Sequence, residues 1–299
     1  MITTPAESDD RVLNALSFDI EDWFHMVDIE AVADPDKWSG FETIVEHRTD
    51  QILEICDQAG VRGTFFILGW IAEHYPALVK RIADAGHEIG THSYWHRTVY
   101  SLDEDEFRKD IKRSIDCIHD AASCEVTSFR APSFSITPGC EWAMDVLHDF
   151  DLQYDASLFP TPRGNGGYPC PREPHVFTDA PSGKGMPELP MSVMRIAGRK
   201  LAFSGGGYMR LLPNWLIRRG FNQLNAEGMP VVVYLHPRDF APDSPRVPMS
   251  KSRHFKAYVG MASTAGKLDA LLRDFRFGTC KEVLDRNLKS HEGEASCST

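Results

Sequence analysis

The 299-residue sequence has no two cysteines spaced as CxxC, and its seven cysteines (Cys56, Cys117, Cys124, Cys140, Cys170, Cys280, Cys297) are an odd number in a long chain. Neither a disulfide framework nor a zinc knuckle organises such a protein. No apolar run approaches the roughly 18 residues that span a bilayer, and the opening MITTPAESDDRV lacks the basic start and apolar stretch of a secretory signal. These absences point to a cytoplasmic protein without a transmembrane segment. Basic residues are in deficit, 32 Lys and Arg against 43 Asp and Glu, for a formal net charge of -11. Nucleic acid is thereby disfavoured as a partner, as is any strongly anionic polymer, because both are repelled at long range.

What is present is enough apolar material, 42% of residues, for one large core or two modest ones. Short apolar runs at 14–19, 63–68, 88–91, 126–130, 152–155 and 231–235 alternate with amphipathic stretches, the pattern of an α/β fold with a parallel sheet. Residues 43–59 have helical spacing and stop at Gly60, and a second helix runs from Pro76 to Gly86. Ser101 and Glu104 have the spacing of a capping box, and Thr137-Pro138 marks another helix start. Residues 159–190 break the rhythm with eight prolines and five glycines. Their composition predicts a structured loop at the rim of a site rather than another βα unit. Residues 1–288 read as one domain, with 289–299 a small polar tail expected to be disordered.

Polar residues sit where a parallel βα fold places its chemistry. Asp19, His92, Arg130, Asp155 and His236 each fall at or just after the C-terminal end of an apolar run, and those ends converge on one face. Phe18-Asp-Ile-Glu-Asp-Trp23 puts three carboxylates in four residues, a repulsion that a metal ion would relieve. His92 and His96, four residues apart, would share a divalent ion from one face of a helical turn. Strand alternation favours Glu21 as the accompanying carboxylate, whereas a turn after the strand would present Asp22; both remain candidates. Arg130 would keep Asp19 ionised, and Asp155 would pair with His236 and raise its pKa.

Together these motifs resemble the polysaccharide deacetylase family, the NodB-homology domain of carbohydrate esterase family four. Asp19 matches the first motif, His92 and His96 the second, Arg130 and Pro132 the third, Tyr154-Asp-Ala-Ser157 the fourth, and Leu235-His236 the fifth. Three further runs, Phe18 to His25, Phe203 to Pro213 and Leu272 to Thr279, resemble the branch associated with exosortase and exopolysaccharide gene clusters, whose characteristic C-terminal region would start here at about residue 237. The resemblance implies a distorted (β/α) barrel of about seven strands. It also implies hydrolysis of N-acetyl groups on amino sugars of a polysaccharide or its precursor, with a divalent metal for which zinc is favoured. Asp19 would be the base, oriented by Arg130, and His236 the acid, with Asp155 behind it. Trp23, Tyr94, Trp95 and Pro132 would border the substrate, and a backbone N–H near Tyr94 or Trp95 would hold the oxyanion. A neutral N-acetylated glycan suits the net charge. The alternatives are a small-molecule amidohydrolase of the allantoinase kind on the same scaffold and a non-catalytic carbohydrate-binding relative.

Overall fold

The computed structural model describes residues 11–162 and 164–296, with side chains through Lys289. Its strands are β1 (Leu13–Ile20), β2 (Thr64–Ile67), β3 (Glu88–Thr91), β4 (Ser128–Phe129), β5 (Tyr154–Asp155), β6 (His175–Phe177), β7 (Met186–Glu188), β8 (Val193–Ile196), β9 (Arg199–Ala202), β10 (Val232–Leu235) and β11 (Arg276–Gly278). The helices are α1 (Val45–Ala59), α2 (Gly69–His74), α3 (Pro76–Asp84), α4 (Glu104–Ala122), α5 (Trp142–Asp149), α6 (Gly206–Leu211), α7 (Asn214–Ala226), α8 (Lys251–Tyr258), α9 (Thr264–Asp274) and α10 (Cys280–Ser296).

Seven parallel strands follow one another across a curled half-barrel sheet in the order β10-β1-β2-β3-β4-β5-β7, and β6 closes the far edge antiparallel to β7. The fold class is that expected. β11 runs beside Leu13–Ala15, which leaves Ser17–Ile20 free to pair with β2. All eight residues of β1 are buried, and their period of two divides them by role. Leu16, Phe18 and Ile20 pack with Val45 and Ile52 of α1 and with Phe65 and Ile67 of β2. Ser17 and Asp19 point the other way, toward the guanidinium of Arg130 inside the curl.

Several local features depart from expectation. Asp103, not Ser101, caps α4, and Glu106 completes the box. The Ser101 hydroxyl is already bonded to the carbonyl of Thr98 in the preceding 3-10 turn. α5 starts at Trp142, because Gly139 takes a left-handed conformation (φ 98°) that no helix continues through. The Pro/Gly-rich segment is more than a loop: β6 and β7 form a hairpin within it, and β7 adds a strand to the sheet beside β5. α10 carries the chain through Ser296, into the stretch expected as a tail, and 297–299 lie outside the described residues.

Candidate active site and metal centre

β1 carries Asp19 and leads into Glu21, the first two candidate carboxylates. Asp19 lies at its buried end, where Oδ1 accepts a 2.8 Å hydrogen bond from Arg130. Arg130 is itself fully buried; it also donates to Ser17 Oγ at 2.8 Å and the Ala156 carbonyl at 3.1 Å, and it lies 4.2 Å over the Phe66 ring. So enclosed a cation holds its partner carboxylate in one rotamer.

Glu21 follows the strand end, where the backbone N–H folds back on the Asp19 carbonyl at 3.1 Å. Its Oε2 stands 2.7 Å from His96 Nε2. The side chains of Glu21, His92 and His96 each present one ligand atom, all within 4.8 Å of one another. Two imidazoles and a carboxylate suit a divalent ion and leave coordination positions for water and substrate. His92 supports this fit, because its Nδ1 contacts the Arg130 carbonyl at 2.7 Å, which assigns that nitrogen the proton and turns Nε2 toward the site. Burial pushes the His92 pKa down to about 4, so the ring is neutral, as a ligand must be. Burial acts to raise the pKa of Glu21, but the charges of His96, His236 and Arg238 outweigh it and leave the carboxyl well below its usual range.

The histidines do not share a helical face. Ser93 and His96 are both left-handed (φ 66° and 56°) in an irregular loop after β3, and that fold-back brings the rings to 5.1 Å. Such conformations are uncommon outside glycine and are held here by surrounding contacts. Asp22 is turned away from the histidines. Its carboxylate caps the 3-10 turn Trp23–His25 and accepts from the Thr43 hydroxyl and from the N–H groups of Ile44 (3.0 Å) and Val45 (3.1 Å) at the start of α1.

His236 follows β10, with Nε2 at 3.7 Å from Asp19 Oδ2 and 3.8 Å from Glu21 Oε1. Its buried partner is not Asp155 but Asp239, whose Oδ2 is 2.9 Å from Nδ1. Asp239 is held in turn by Arg210, Oδ1 to Nε at 2.8 Å. Burial acts to lower the His236 pKa, and Asp239 reverses this and raises it. Asp155 belongs to a separate structural pair: it bonds Ser157 and faces Glu188, and burial raises both carboxyls. Sequence reading missed Asp239 and Arg210. The capping-box spacing of His236 and Asp239 around Pro237 was the available signal.

The four expected substrate contacts fare differently. Trp23 is buried with its indole N–H on the Glu42 carbonyl, Pro132 is buried in a 3-10 turn, and Tyr94 is buried with Arg113 3.8 Å over its ring. The N–H groups of Tyr94 and Trp95 are both directed at the Asp110 carboxylate (2.6 and 3.4 Å), away from an oxyanion role. Trp95 borders a neighbouring groove. The cleft itself, about 320 Å³, is lined by Asp19, Glu21, His92, His96 and His236, with Phe134, Tyr234 and Asn165 at its walls. Asn165 reaches it because Gly166 lies against the carbonyl of Phe134, where a Cβ would stand 2.2 Å from the oxygen.

Residues 33–147 match the family model for polysaccharide deacetylase, and 156–285 match a domain of unknown function, DUF3473. Residues 33–147 thus resemble a polysaccharide deacetylase domain, a type found in hydrolases of amide C–N bonds. A peptidoglycan-N-acetylglucosamine deacetylase of Bacillus cereus is 37% identical over 98 residues, 32% of this chain and 36% of that protein. A chitooligosaccharide deacetylase of Rhizobium leguminosarum bv. trifolii is 33% identical over 72 residues, 24% of this chain and 34% of that protein. The chain therefore spans about a third of the length of these relatives. Among solved structures, a candidate polysaccharide deacetylase from Mycobacterium smegmatis superposes with TM-score 0.64 at 18% identity, covering 97% of this chain and 96% of that one. Puue allantoinase does so with TM-score 0.63 at 13% identity, covering 95% and 93%. At such identities the likeness establishes the fold alone. The candidate site draws on both matched segments, His92, His96 and Arg130 from one and His236 and Asp239 from the other, and takes Asp19 from β1 and Glu21 from the turn just after it.

Proposed function

We propose that the protein is a metal-dependent N-deacetylase of amino-sugar glycans, acting in exopolysaccharide biosynthesis. The observation that carries this reading is the meeting in one cleft of an arginine-held Asp19, a carboxylate-backed His236 and the Glu21, His92 and His96 donor set. A divalent ion, zinc in this reading, held by those three residues would supply Lewis acidity to the acetyl carbonyl and acidify a water molecule. Asp19 accepts the proton of the attacking water, and Arg130 keeps the carboxylate aimed. His236 delivers a proton to the departing amine, which is needed because an amide anion is a very poor leaving group. Asp239 fixes the ring through Nδ1 so that Nε2 faces the reaction.

An extended substrate is favoured over a small amide by what adjoins the cleft. Met26, Val27 and His96 line both the cleft and a second groove of about 660 Å³, which continues past Trp38, Trp95 and Tyr100 and gives further sugar units an aromatic wall. Retention of Asp19 and His236 supports catalysis over a binding-only role. The test is acetate release from N-acetylglucosamine oligomers by the metal-loaded protein. Turnover lost with chelator and in His92→Ala with His96→Ala is expected; turnover and metal content unchanged in that double variant would refute the assignment.

A further inference from the structure

We infer that the cleft recognises a glycan bearing an anionic group, a carboxylate or a phosphate, beside the acetamido sugar, with Arg238 and Lys256 as the residues that read it. The inference takes the acetamido group from the deacetylase reading, but the anionic group rests on separate observations. On a chain with 43 acids and 32 bases, the cleft walls carry four cations, Arg210, Arg238, Arg253 and Lys256, and two carboxylates, Asp19 and Glu21. The pairings inside the site leave an excess of positive charge. Asp19 is committed to Arg130. Arg210 is consumed by Asp239 and by the carbonyls of Lys256, Ala257 and Val259. Arg253 donates to the Val27 carbonyl and stands 3.9 Å from Asp28.

Arg238 and Lys256 remain. The guanidinium of Arg238 makes no hydrogen bond among the described residues, and its Nε is buried without a partner. Two carboxylates stand near it without a hydrogen bond: Glu21, with Oε1 at 3.8 Å, in ion-pair range but shared with both His96 and His236, and Asp239, whose charge is committed to Arg210 and His236. A buried, unpaired arginine donor is costly unless something completes it. Its five-donor fork matches carboxylate or phosphate oxygens. Lys256, exposed at the mouth, has no ion pair among the described residues and adds a second positive charge on the approach. The net charge of the chain therefore misreports the cleft, where local charge governs which substrate is drawn in.

The experiment uses the metal-loaded full chain and three substrate series: neutral N-acetylglucosamine oligomers, oligomers alternating N-acetylglucosamine with glucuronate, and phosphorylated N-acetylglucosamine. Binding of each is measured in parallel by calorimetry. At low salt, one acidic series should exceed the neutral one in kcat/KM by about tenfold or more, the order of one charge-assisted hydrogen bond. That series identifies the source of the charge. The advantage should shrink as salt rises and fall toward unity in Arg238→Gln and in Lys256→Gln, while Arg238→Lys keeps part of it. Equal turnover of neutral and acidic series by the unaltered protein overturns the inference, as does an Arg238→Gln loss that is equal for both. Should no series release acetate, the deacetylase reading fails and calorimetry alone decides. Tighter, Arg238-dependent binding of an acidic series then sustains the anionic site, and its absence refutes it.

Discussion

His236 Nδ1 and Asp239 Oδ2 lie 2.9 Å apart, three residues along the chain, with Arg210 on the far side of the same carboxylate. This arrangement fixes the imidazole in one tautomer and stabilises its protonated form, two requirements of a general acid. Asp239→Asn removes the charge and should lower kcat about tenfold or more with little change in KM. Asp155→Asn, which touches Ser157 and Glu188 instead, should affect stability more than kcat. Steady-state kinetics on both variants decides the matter, and the opposite ranking would return the role to Asp155.

Glu21 and Asp22 are neighbours with separate tasks. Glu21→Gln should reduce bound divalent metal, read by elemental analysis of dialysed protein, with the melting temperature of the metal-free chain nearly unchanged. Asp22→Asn should keep the metal and lose about 1–3 kcal/mol of stability, because both Asp22 oxygens accept hydrogen bonds and the amide nitrogen that replaces one of them cannot. Chemical denaturation measures that loss, and metal depletion in Asp22→Asn would contradict the geometry.

Arg130→Met leaves the buried Asp19 carboxylate without its cation and the Ser17 hydroxyl without its donor. Breaking a buried pair from one side costs about 3–5 kcal/mol. The expected result is a strong fall in denaturation midpoint together with loss of activity; a variant as stable as the parent would show that Asp19 is solvated.

The Asp155 and Glu188 carboxyls are both raised by burial, so the folded pKa values exceed the unfolded ones. Their favourable contribution is full below the unfolded values and is lost as pH rises through the folded ones. Glu188→Gln removes one ionisation while keeping an acceptor for the Leu158 N–H. Relative to the parent, the variant should gain melting temperature as pH rises from about 5 to 8. A gap that stays constant across that range would mean the pair does not titrate with folding.

Much of this was legible in the linear sequence because strands and their ends are local events. The run 231–235 shows its burial in composition, and His236 marks its end. Where reading failed, a competing local partner or a distant one decided. Ser101 spent its hydroxyl on Thr98, so the cap passed to Asp103. Gly139 delayed α5 through its backbone sign. The hairpin at β6 and β7 hid among prolines because its pairing is sustained by a neighbouring strand rather than by propensity.

The sequence by itself determined the parallel α/β order and the residues placed at the strand ends. Only the tertiary structure brought Glu21 rather than Asp22 to His92 and His96, set Asp239 rather than Asp155 against His236, and left the Arg238 Nε without a hydrogen bond inside the cleft. The reason is physical. Periodicity records which face a residue presents, but a carboxylate's partner is set by distances between segments as far apart as β1 and β10, and those exist only once the sheet has curled.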